Sequence, residues 1–116
     1  MRTSQDGIDL IMHFKGCRLT DDLRPFEDVV ERVVQVPLRQ NEFDALVAFA
    51  YDLGTGALRH ADLLAFLNAH QHDRVADAFL EHGNDVHDRR RAAERALFIA
   101  PPKRGMWHKF LAWLRG

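Results

Sequence analysis

Apolar residues recur along this chain at three- and four-residue spacing, the period of a helix with one buried face. Ile8, Ile11, Met12 and Phe14 share a face after a polar start near Ser4, and Gly16 ends that segment. After the polar link Leu19-Thr20-Asp21-Asp22, either aspartate can cap a second helix with Pro25 in its first turn. Its stripe is Phe26, Val29, Val30, Val33 and Val34; valines also suit a strand, but this spacing favours the helix. Val36-Pro37-Leu38 breaks the chain. The third segment carries Phe43, Leu46, Val47, Phe49, Ala50 and Leu53, is apolar over more than half its girth, and predicts the centre of the core. Gly54-Thr55-Gly56 reads as a tight stop. Further helices are predicted over 61–68, 73–81 (ending at Gly83-Asn84) and 86–98, with Pro101-Pro102 as a stop and a short last helix over 105–114. No segment reads as a strand, so the pattern predicts an all-α, compact orthogonal helical bundle.

The chain has 116 residues and is 47% hydrophobic, enough for one domain with its own core. With 16 basic and 17 acidic residues the net charge is −1, which gives no global attraction to nucleic acid or anionic lipid. The single cysteine, Cys17, excludes an internal disulfide; packed as a small hydrophobe, it reads as a core thiol. The start is polar and no apolar run reaches the ~20 residues of a membrane span. The expectation is therefore a soluble, cytoplasmic chain, with release to the periplasm requiring another route.

Three blocks carry a family likeness. Ile11-Met12-His13-Phe14-Lys15-Gly16-Cys17-Arg18-Leu19 resembles the first-helix signature of phage-type lysozymes, the muramidases of glycoside hydrolase family 24. The segment from Val36 to Gly54 resembles their central helix, and Arg89 to Phe98 is similar to their closing helix. The blocks stand in family order, and the likeness covers roughly positions 4–99. It implies a lysozyme-like helical domain over 1–100, with 101–116 left as an amphipathic C-terminal helix. It also implies that the β-sheet lobe usual after the first helix is deleted, because Leu19-Thr20 leads almost directly into Asp22 to Glu27.

The same likeness implies where chemistry should sit. Family members carry a Glu on the first helix, an Asp or Cys nine residues on and a Thr six beyond, serving an oxocarbenium-like transition state. Here those positions are Lys15, Arg24 and Val30. An ammonium with an ordinary pKa of ~10.4 would need strong burial to give up its proton near neutrality. Asp21, Asp22 and Glu27 are the nearby carboxylates, and the sequence does not place two of them across a sugar. No catalytic residue is assigned on this basis. The expectation is a lysozyme homologue without enzymatic activity, acting by binding or regulation; a residual muramidase is the alternative, and a membrane-active protein the second.

Other features read structurally. His70 and His72 are two apart and His82 and His87 five apart, neither the spacing of a helical zinc pair, so no metal or cofactor is expected. Arg89, Arg90, Arg91 and Arg95 alternate with Asp85, Asp88 and Glu94 as a salt-bridged helix face with Arg90–Glu94 as the pair, and no aromatic interleaves to suggest nucleic-acid binding. In the tail, Trp107, Phe110, Leu111 and Leu114 share a face that Met106 and Trp113 widen. That face is expected to cover the bundle, or to bind a protein partner or a second copy; a membrane surface is the weaker match. Peptidoglycan is the remaining partner the likeness brings in.

Overall fold

The computed structural model describes residues 1–16, 18–81 and 88–99. Among them the chain forms seven helices and no strand: α1 (Gln5–Lys15), α2 (Arg24–Val33), α3 (Gln40–Leu53), α4 (Thr55–His60), α5 (Asp62–Asn68), α6 (His72–Glu81) and α7 (Asp88–Ile99). None of these helices is long and apolar enough to cross a membrane. Cys17, His82, His87 and the tail face of Trp107, Phe110, Leu111, Trp113 and Leu114 lie outside the described residues, as does the expected division at residue 100.

α3 is the spine. Every residue from Asn41 to Ala50 is buried, because α1, α2, α4 and α7 pack around it. Phe43, Leu46, Phe49 and Ala50 are fully covered. α5 packs on α6, and α6 in turn on α7, which closes the bundle. The valine stripe of α2 behaves as its period requires: Val29 and Val30 are buried, while Phe26, Val33 and Val34 pack half-buried against the core.

Local chemistry sets the helix ends. Gly16 takes a left-handed φ of 80° and its N–H closes on Met12 O at 2.9 Å, ending α1. Only residues 16–23 join α1 to α2, too short a link for a sheet lobe. Leu23 is the N-cap of α2 and carries no side-chain cap. Asp22 instead accepts the Arg24 N–H at 3.0 Å, inside the first turn, whereas Asp21 is drawn away to other partners.

Two expectations about elements are corrected. Gly54 bends the chain at φ 96°, but Thr55-Gly56 is not a stop: a six-residue helix, α4, starts there and buries Leu58. An extended Ala61 then separates it from α5. The arginine-rich segment is not a solvated face either. Arg91 and Glu94 are fully buried: Arg91 pairs with Asp52 of α3 as well as with Glu94 of its own helix.

The N-terminal residues are pinned to the bundle. Thr3 donates N–H and Oγ1–H to Glu27 (2.7 and 2.6 Å), and Ser4 donates N–H (2.9 Å) and its hydroxyl to Asp44, itself 1% exposed. This brings α1 so close to α3 that a Cβ on Gly7 would lie 2.6 Å from Thr3 Cγ2 and 2.9 Å from Asp44 Cβ. Gly7→Ala should therefore lose about 1–3 kcal/mol by overpacking, more than the ~1 kcal/mol that alanine gains in helix propensity. A lower urea midpoint checks this; a raised one would mean that α1 and α3 can part freely.

Candidate active site

The end of α1, the 16–23 link and the end of α3 converge on one exposed carboxylate. Lys15, the last residue of α1, places Nζ 2.8 Å from Asp21 Oδ2. Tyr51, near the end of α3, donates its hydroxyl to the same oxygen. The Phe26 ring packs edge-on against the Tyr51 ring at 5.3 Å and fixes its direction. The Lys15 hydrogen bond, followed by that from Tyr51, holds the Asp21 carboxyl below its ordinary range. Lys15 moves the other way, its proton retained by Asp21, and Tyr51 is likewise raised because its bond to Asp21 favours the protonated phenol. The group is thus an ionised carboxylate between an ammonium and a neutral phenol.

The other positions implied by the likeness are elsewhere. Arg24 is exposed and pairs with Asp22 at 3.2 Å. Val30 is fully buried in the core. Glu27 is occupied with Thr3. Of the residues weighed from sequence, Lys15 and Asp21 meet at this point, apart from the exposed Arg24–Asp22 pair, and Tyr51 joins them unforeseen; a tyrosine inside an apolar helix gave no separate signal.

Behind this surface lies a buried ionic cluster. Asp52 follows Tyr51 on α3 and accepts from Arg90 and, at 2.8 Å, from Arg91 of α7. Arg91 Nη2 also donates to Glu94 Oε2 at 2.9 Å. The Arg91 guanidinium sits 5.1 Å from the centre of the Phe49 ring, and that of Arg90 5.3 Å from the Phe14 ring, next to Lys15. Burial pushes the Glu94 carboxyl up to about 8, the pull of Arg91 notwithstanding, so it is mostly protonated at neutrality. Sequence pairing at i, i+4 suggested Arg90–Glu94; the geometry selects Arg91 at i, i+3 instead.

Among the described residues no group of three His, Cys, Asp or Glu side chains could hold a metal ion. His72 turns to Glu42, with Nε2 3.5 Å from Oε2, and stacks on Phe98. His70 occupies a left-handed turn with φ 60°.

Comparison with known proteins gives this arrangement a context. The chain is 41% identical over 87 residues to an endolysin of Bacillus phage B103, a match covering 70% of this chain and 33% of that protein. It is 38% identical over 87 residues to the endolysin of Salmonella phage P22, covering 71% and 60%. It thus spans about a third of the one relative's length and under two-thirds of the other's. Among solved structures, a mutant of P22 lysozyme superposes with a TM-score of 0.79 at 25% identity, covering 86% of this chain and 99% of that one. The muramidase domain of SpmX from Asticaccaulis excentricus superposes at 0.76 with 27% identity and the same coverage. The expectation of a chain without enzymatic activity is overturned by the endolysin relatives, at 38–42% identity. It rested on three motif positions and on the missing β lobe, whereas the similarity to these endolysins runs through most of the helical bundle. The phage lysozyme family's own pattern matches residues 13–94, most of the described bundle, and the chain belongs to that family.

Proposed function

We propose that this chain acts on peptidoglycan as an endolysin of the muramidase type, hydrolysing the glycosidic bond of the glycan. The observation that carries this is its identity of about 40% with phage endolysins across most of its helices. The local chemistry supports the same reading. Cleavage passes through an oxocarbenium-like centre, which an anion beside the sugar stabilises. Asp21 is such an anion: exposed, kept ionised by Lys15 and Tyr51, and one link away from the helix end where the resemblance puts the family's acid. Lys15 and Tyr51 are the proton-bearing groups beside it.

The expected result is release of reducing sugar from purified peptidoglycan above a heat-killed control. Asp21→Asn should lower the rate about 10²-fold, within the range of single catalytic side chains. Asp21 is exposed, so the variant should fold as the parent does. Absence of sugar release by the parent would overturn the activity. Release that Asp21→Asn leaves untouched would remove Asp21 from the site while keeping the activity.

A further inference from the structure

A cleft lies at the opposite end of α3 from Asp21. It opens between α3, α6 and α7, has a volume of about 390 Å³, and is lined by charges of both signs. Arg39 and Glu42 flank it at the start of α3, nine or more residues from Tyr51, roughly 13 Å along a helix axis. Asp73 and Asp77 of α6 face Arg95 of α7 across it. The size lies within the range of small-ligand pockets.

Its charges are incompletely matched to one another. Arg95 reaches Asp77 only at 3.5 Å, and Asp77 is 77% exposed, so this pair is loose and wet. Arg95 Nε is buried without a hydrogen-bond partner, an arrangement that normally signals a missing acceptor. Glu42, buried at 7% exposure, presents Oε2 to the cleft side at 3.5 Å from His72. His72 stacks on Phe98 with ring centres 6.2 Å apart, a flat wall on which methylene groups can lie.

We propose that this cleft binds a peptide end that carries a free carboxylate and a free ammonium together. The carboxylate meets Arg39 and Arg95, the ammonium meets Asp73 and Asp77, and the connecting methylenes lie on His72 and Phe98. A fork of guanidinium donors suits a carboxylate, and paired aspartates suit an ammonium. A terminal diamino acid on the peptide stems of peptidoglycan has this chemistry. The identification of the peptide rests on the proposed action on the cell wall; the recognition chemistry does not.

The test uses the full chain and an N-acetylated tripeptide ending in lysine, which has a free α-carboxylate and a free ε-ammonium. Amide resonances of α6 and of the start of α3 should shift saturably. Amidating the carboxylate, or acetylating the ε-amine, should each weaken binding about tenfold, as loss of one charged contact of about 1.4 kcal/mol does. Arg39→Ala and Asp73→Asn, both at exposed positions, should do the same without altering the melting transition. No saturable shift up to roughly 10 mM peptide, a very weak limit for a specific site, would overturn the proposal. So would equal binding of the blocked peptides, or shifts confined to the Lys15–Asp21 end. The peptide has no glycosidic bond, so its binding is read independently of sugar release, and either reading can fail alone.

Discussion

Between about pH 5 and about pH 9 the folded state should lose roughly 4 kcal/mol through Glu94 alone. Burial in the α3–α7 seam raises this carboxyl from 4.5 to about 8, while the unfolded chain keeps the ordinary value. Over the interval between those values the folded protein holds a proton that the unfolded chain has released. Stability from this group is therefore complete below about pH 4.5 and is lost as pH rises through about 8. Glu94→Gln keeps the shape and cannot titrate. Denaturant unfolding of the parent and the variant should give similar stabilities at pH 5 and a clear advantage for the variant at pH 9. The comparison cancels the histidines, and Asp21 and Asp22, whose carboxyls are held low, stay ionised throughout. Parallel curves for the two proteins would show that Glu94 is charged in the fold at neutrality, with Arg91 outweighing burial.

Phe49→Ala should cost about 3–5 kcal/mol, as for other buried aromatics, out of the roughly 5–15 kcal/mol that a domain usually has. The ring is fully buried on α3 and meets Phe79 edge-on, with centres 5.7 Å apart. It also carries the Arg91 guanidinium on its face. Truncation would open a cavity at the crossing of α3, α6 and α7 and remove the surface against which a buried cation is held. Guanidinium-chloride unfolding measures the loss. A change below about 1 kcal/mol would mean the core closes over the gap with little strain.

Periodicity was enough to find α1, α2, α3 and α6, because each has one face that must be buried and that face repeats locally. It also placed α3 at the centre, since only a central helix can be apolar on nearly every side. α4 escaped because Gly54, its N-cap, and Gly56, its second residue, resemble a stop, and its anchoring contact, Leu58, is a single residue. The ionic cluster escaped for another reason. Charges on a helix are normally solvated, and nothing in the order Arg90-Arg91-Ala92-Ala93-Glu94 indicates that Asp52, 39 residues from Arg91, will enclose them. At the candidate site the resemblance located the end of α1. The meeting of Asp21 with Tyr51, 30 residues apart, depends on how the short 16–23 link folds back. Lys15, Arg24 and Val30, with the missing β lobe, argued too strongly against activity, since the residue type at a motif position says little about the partners its side chain will meet.

Asn41 has a consequence for how firmly the end of α7 is held. From inside α3 its side-chain amide donates to Leu97 O at 2.9 Å and to Phe98 O at 3.1 Å, so two of the last four carbonyls of α7 are satisfied by the bundle itself. A helix end normally relies on the residues after it for those bonds. Here α3 supplies two of them, so fraying of the last turn of α7 has to break bonds to the spine of the bundle as well as its own.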